Sequence, residues 1–327
     1  MRTKADEDAD VITTGVAQLV ERMRAGDIRS LARAVSLVED DGLLAPQILS
    51  RCFSYAGEAI RVGVTGAPGA GKSTLVDQLA RNYRAHEATV GVVAVDPTSP
   101  FTGGAILGDR IRMQANEHDP GFYMRSMATR GGLGGLARAT ADVVQVLEAS
   151  GKQRILIETV GVGQDEVDIV RLADVTVVVL VPGMGDDVQS IKAGIMEIAD
   201  IFVVNKSDRE GADRVEKEVR ALQSLASDHE SWIPPIVRTV ANTGLGIPEL
   251  IKTIDEFWSW LGKEDRLLRR REGYWRERVT EMIRLEALKR VRKRGLDEDA
   301  LETIIQQVAR KEQDPYQLVP ELINRLF

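Results

Sequence analysis

Nine consecutive residues, Gly66-Ala67-Pro68-Gly69-Ala70-Gly71-Lys72-Ser73-Thr74, carry the densest chemical signal in the chain. They fit the pattern G-x-x-x-x-G-K-[ST], with the apolar run Val62-Gly63-Val64 before it and Leu75–Ala80, which reads as a helix, after it. A polyanionic phosphate needs several backbone N–H groups turned inward, and only a loop poor in side chains lets the backbone come that close. The following helix adds unpaired N–H donors and the positive end of its dipole. In this pattern Lys72 reaches the β- and γ-phosphates and the Ser73 hydroxyl ligates Mg²⁺. Residues 66–74 are therefore expected to hold a nucleoside triphosphate.

Acids recur where apolar runs end. Asp96 closes the run at 90–95 and is followed by Pro97-Thr98-Ser99-Pro100. Two prolines so close exclude a helix or a central strand, so 97–108 is expected to be a loop. Asp96 reads as a carboxylate on the Mg²⁺ side, direct or through water, in preference to a capping aspartate. Asp109, where the chain leaves this loop, is a further metal candidate; Arg110 and Arg112 are either phosphate contacts or solvated arginines. Glu158 ends the run at 155–157 and Gly161 follows it. A carboxylate there orients Mg²⁺ or its water, and a glycine N–H can bond the γ-phosphate, so the segment responds to hydrolysis. Lys72, Glu158 and Gly161 are thus the catalytic candidates. Gln164 either positions the attacking water or is an exposed loop glutamine.

Asn205-Lys206-Ser207-Asp208 follows the run at 201–204. A carboxylate at Asp208 accepts both N1–H and the N2 amino group of guanine. Adenine presents an acceptor at N1 and nothing at C2, which leaves the same carboxylate mispaired. Asn205 can address the O6/N7 edge of the base, and the Lys206 stem can cover base and ribose. Val240, Ala241 and Asn242, after the next run, are placed to reach O6 through backbone N–H groups. GTP and GDP are expected, and ATP is not. Two other loops invite a partner: Thr129–Arg138, with four glycines in five residues, reads as a mobile binding loop, and 182–192 is either a relay or a plain connection.

The elements that must position these groups follow from periodicity. Apolar runs at 62–65, 90–95, 155–157, 175–181, 201–204 and 236–240 are near-continuous, as strands buried on both faces are. Helical stretches between them imply βαβ units and ligands at the carboxyl ends of the strands. The expected fold is an α/β P-loop NTPase, its mostly parallel central sheet flanked by helices, over residues 58–261. Residues 1–57 read as a helical N-terminal extension, frayed over 1–10. Asp27 is expected to cap a helix with Ile28, Leu31, Val35 and Val38 at helical spacing, and Pro46 suits a first turn. This extension either packs on the nucleotide domain or embraces a partner. Residues 262–327 hold three amphipathic segments. Their stripes are Trp275, Val279, Met282, Ile283 and Val291; Leu301, Ile304, Ile305 and Val308; and Tyr316, Val319, Ile323 and Leu326. They either fold back on the core or, the preferred reading, pair with a second subunit in a homodimer.

With 327 residues and 43% hydrophobic content, the chain can bury a sizeable core. A net charge of -7 argues against nucleic acid as a main partner. One cysteine excludes an internal disulfide, and three histidines leave little for metal transfer. No apolar run has the length of a membrane span, so a cytoplasmic location is expected.

Taken together, Gly66–Thr74, Asp96–Gly104, Glu158–Gln164 and Asn205–Asp208 resemble the MeaB/ArgK group of P-loop GTPases, which includes the methylmalonic aciduria type A protein. The resemblance implies a homodimeric GTPase with Mg²⁺ held among Ser73, Asp96, Asp109 and Glu158. It implies a chaperone for an adenosylcobalamin-dependent acyl-CoA mutase, most often methylmalonyl-CoA mutase, which gates cofactor delivery and protects the mutase. It also places the family's switch regions at 96–112, 158–166 and 182–192. Met184 departs from the small residue expected in the third. A GTP-dependent metallochaperone and a small-molecule or protein kinase are the alternatives.

Overall fold

The computed structural model of the chain describes residues 4–96, 119–128, 135–159, 171–183, 198–225, 232–296 and 298–326. These fall into two compact units, 1–266 and 267–327.

The first unit is built on a seven-stranded parallel sheet in the order β3-β2-β4-β1-β5-β6-β7. Its strands are β1 (Ile60–Gly66), β2 (Val90–Asp96), β3 (Phe122–Ala128), β4 (Arg154–Glu158), β5 (Val175–Leu180), β6 (Ile201–Asn205) and β7 (Ile236–Thr239). Every residue of β1, β5 and β6 is buried, which accounts for their largely apolar character, interrupted only by Arg61, Thr65, Thr176 and Asn205. The six expected runs become β1, β2 and β4–β7. Strand β3 has no counterpart among them. It lies at the sheet edge, paired among the described residues with β2 alone, and its sequence is interrupted by Arg125 and Ser126.

Helices cover both faces: α4 (Lys72–Ala85), α5 (Gly135–Ala149), α6 (Ala212–Leu225) and α7 (Ile247–Leu261). At the amino ends of the strands, the Arg61 guanidinium on β1 grips Asp174 in the turn before β5. Nε lies 3.0 Å from Oδ2 and Nη2 2.7 Å from Oδ1, with both side chains buried. The Arg61 N–H donates to the same carboxylate, so the pair fixes the register of the two central strands.

Three helices precede the sheet: α1 (Lys4–Arg24), α2 (Ile28–Glu39) and α3 (Ala45–Phe53). The acidic start, expected to be frayed, is helical from Lys4. Asp27 caps α2 as expected, accepting from the Arg29 N–H at 3.0 Å, and Pro46 sits in the first turn of α3. Leu31, Ala34, Val35 and Val38 form the buried stripe of α2, whereas Ile28 is exposed at its first turn. Both α2 and α3 pack on α5, so the extension lies against the nucleotide domain. Glu39 accepts from Arg125 Nε on β3 at 2.6 Å, Asp41 pairs with Arg138 on α5, and Gln145 donates to the Leu49 carbonyl at 2.8 Å.

The second unit holds α8 (Arg266–Lys293), α9 (Glu298–Ala309) and α10 (Pro315–Leu326). Of the expected stripe on α8, Val291 is buried while Val279, Met282 and Ile283 are exposed.

Candidate nucleotide site

Parallel pairing brings the carboxyl ends of β1, β4, β6 and β7 to one edge of the sheet, and a cavity of about 540 Å³ opens there. The loop from Gly66 to Gly71 forms one wall, shaped by two glycines. Gly66 has φ +142°, and a Cβ on it would lie 2.2 Å from the Val179 carbonyl oxygen of β5. Gly71 has φ +90°, and its Cβ would meet the Asn205 amide nitrogen at 2.5 Å. A side chain at either position would push the loop off the sheet. Gly71 is also the N-cap of α4 and supplies no capping side chain, so the first-turn N–H groups remain available to an anion. Lys72 is buried and folds over the loop, donating to the carbonyls of Gly66 at 2.8 Å and Ala67 at 3.1 Å. Pro68, Gly69, Ser73 and Thr74 complete this wall, with Ala70 buried behind it.

Ser73 and Glu158 meet at the floor. The Ser73 hydroxyl donates to Glu158 Oε1 at 2.6 Å, because the register of β1 on β4 sets Glu158 beside Val64. Thr159 stays in line through a 2.9 Å bond from its hydroxyl to Thr65. A hydroxyl and a carboxylate oxygen so disposed form the hard oxygen donor set that Mg²⁺ takes, and the residues fit that ion. Asp96 is the last residue of β2, two beyond Ala94, which pairs with Glu158. Its side chain lies outside the described residues. So do Asp109, Arg110, Arg112, Gly161, Gln164, residues 184–197 and residues 129–134 of the glycine-rich stretch, whose last four residues, expected to be loop, instead open α5. Among the described residues, no cluster of three His, Cys, Asp or Glu side chains is arranged to hold a metal.

On the far wall the geometry gives Asn205 a structural role beside the expected one. Its side chain is buried and committed within the protein. Nδ2 donates to the Ala70 carbonyl at 2.8 Å, and Oδ1 accepts from the Thr239 hydroxyl and the Ala241 N–H, both at 3.1 Å. Asn205 therefore ties the glycine loop to β7 and to the loop after it, and the one Nδ2 proton these bonds use leaves the second for the cavity that Asn205 also lines. The same bond uses the Ala241 N–H, and the Val240 N–H donates to the Leu245 carbonyl at 3.0 Å. Of the three N–H groups expected to reach guanine O6, Asn242 alone has no bond to the protein among the described residues. Lys206, in the left-handed region at φ +54°, donates to the Gly69 carbonyl at 2.7 Å. Asp208 lines the cavity beside Asn242. Val95, Thr159 and Arg209 also line it and were not foreseen; each adjoins a residue that was (Asp96, Glu158, Asp208).

The cavity thus has cations and helix N–H groups at one end, a hydroxyl–carboxylate pair at its floor and a carboxylate at the other end. The family model described as Methylmalonyl Co-A mutase-associated GTPase MeaB matches residues 31–295. A provisionally assigned GTPase of Pyrococcus abyssi is 48% identical over 315 residues, covering 95% of this chain and 97% of that protein. The methylmalonic aciduria type A homolog, mitochondrial, of Mus musculus is 37% identical over 262 residues, 73% of this chain and 63% of that one. The crystal structure of a LAO/AO transport system kinase superposes with a TM-score of 0.68 at 24% identity, covering 100% of this chain and 99% of that one, and shares the fold.

Proposed function

The chain belongs to the MeaB family of GTPases, and from that premise we propose that it is a guanine-nucleotide-driven chaperone of an adenosylcobalamin-dependent acyl-CoA mutase, with methylmalonyl-CoA mutase as the leading candidate. The observation that carries the nucleotide assignment is the convergence of Lys72, the Ser73–Glu158 pair and Asp208 on one cavity from separate segments of the chain.

In this reading the phosphates lie in the loop 66–74 and the base lies against Asp208. Lys72 exchanges its bonds to the Gly66 and Ala67 carbonyls for the β- and γ-phosphate oxygens, so its ammonium is preplaced before nucleotide arrives. Ser73, Glu158 and Asp96, with Asp109, would hold Mg²⁺, which neutralises charge on the β- and γ-phosphates when bound. Asp208 accepts the guanine N1–H and N2 amino protons, while Asn205 keeps the loops on either side of the base in place. Gly161 donates its N–H to the γ-phosphate, and its release on hydrolysis is the signal to the mutase. Catalysis is then chiefly positioning and charge neutralisation.

The family's description supports the mutase as the partner. The apolar residues Val279, Met282 and Ile283, exposed on α8, support a second copy as the other partner. The chain is proposed to act in the cytoplasm, gating cofactor delivery and protecting the mutase.

GTP turnover by the purified chain, alone and with methylmalonyl-CoA mutase from the same organism, tests this reading. A slow intrinsic rate that the mutase changes several-fold is expected. An unchanged rate with no physical association overturns the mutase assignment.

A further inference from the structure

The hairpin of α1 and α2 carries a groove that the nucleotide chemistry leaves unused. It encloses about 470 Å³ between Gly15, Leu19 and Arg22 on α1 and Arg29, Arg33 and Leu37 on α2. Both sets recur at one-turn spacing, so each helix presents a single row and the furrow between them suits the ridge of a third helix.

The chemistry of the furrow changes along its length. Leu19 and Leu37, with Leu44 beyond the end of α2, give an apolar portion. Guanidinium groups gather toward the turn. Arg22 is neutralised by Asp27, with 2.6 Å between Nη2 and Oδ2. Arg29 and Arg33 are exposed and have no carboxylate partner among the described residues, whereas Arg61, Arg84, Arg125 and Arg138 each have one. Two cations one helical turn apart, without a carboxylate partner among the described residues and beside an apolar strip, complement an amphipathic helix with carboxylates at the same spacing.

We propose that this groove docks an acidic amphipathic helix of the partner mutase, an assignment that rests on the mutase reading above. The wall on α1 and Arg29 precede residue 31, where the family match begins, while Arg33, Leu37 and Leu44 lie within it, so the groove straddles the start of that match. Helix α2 leads from the groove to Glu39, which holds Arg125 on β3. A docked helix therefore bears on an element anchored to the nucleotide sheet.

The test titrates the full-length chain and its Arg29→Glu/Arg33→Glu variant with the purified mutase of the same organism, at low and at physiological ionic strength. Neither side chain lines the nucleotide cavity, so unchanged basal GTP turnover shows that the variant is folded. The reversal is expected to weaken binding about tenfold or more and to remove most of its salt dependence. The milder Arg29→Gln/Arg33→Gln variant is expected to fall between the two, and it carries the test if the reversal impairs folding. Equal affinity and equal salt dependence overturn the groove and leave the mutase partnership standing. A wild-type chain that does not bind the mutase overturns both. If light scattering of the chain alone shows the variant changing its oligomeric state with mutase binding intact, the occupant is a second copy and the proposal fails.

Discussion

Lys152 lies in the turn before β4, its ammonium 3.1 Å from the Gly121 carbonyl and close to the Arg84–Asp119 pair. Burial, reinforced by the Arg84 guanidinium, lowers its pKa to about 8 from 10.5, against the opposing pull of Asp119. Between those values the unfolded chain holds a proton that the folded chain has released, so stability rises with pH across the window. Lys152→Met is expected to remove that rise: from about pH 7.5 to about pH 10 the wild type should gain thermal stability relative to the variant. Parallel profiles would contradict this account. Lys72, Ser73, Glu158 and Asp208 were legible in the sequence because each sits in a short pattern whose spacing reflects its chemistry. The tie made by Asn205 was not. Its partners Ala70 and Ala241 lie 135 and 36 residues away, and no local spacing encodes such a bond.

Helix α2 ends in acids that hold two neighbouring elements, Glu39 on Arg125 of β3 and Asp41 on Arg138 of α5. The first pair is partly buried, with Glu39 the more enclosed partner. Glu39→Arg and Arg125→Glu should each destabilise the chain by about 1–2 kcal/mol, and the double exchange should recover roughly 1 kcal/mol. Urea unfolding of the four proteins measures this, and simply additive losses would show that the pair is uncoupled. The sequence indicated α2 and its cap because Asp27 and the stripe from Leu31 to Val38 are local signals. It did not reveal β3. An edge strand bonded on one side tolerates Arg125 and Ser126 in its middle, and the unbroken apolar run that marks the central strands is then missing.

In the whole molecule, the doubly wound sheet was legible because strands buried on both faces cannot avoid reading as continuous apolar runs. Its order, β3-β2-β4-β1-β5-β6-β7, depends on pairings far apart in the chain and had to be seen. That order sets β4 beside β1, which brings Glu158 to Ser73, and β6 beside β7, which brings Asn205 to Ala241. The resulting cavity of about 540 Å³ is lined by Asp208, which is proposed to select guanine there. The most direct measurement is calorimetric titration of the wild type and Asp208→Asn with GDP, ADP and xanthosine diphosphate. The xanthine ring carries a carbonyl where guanine carries its N2 amino group, so an asparagine amide can donate to it. The wild type should bind GDP and reject ADP, and the variant should lose GDP about a hundredfold or more while gaining xanthosine diphosphate. A variant that binds GDP as the wild type does would contradict the assignment of this cavity as the guanine site.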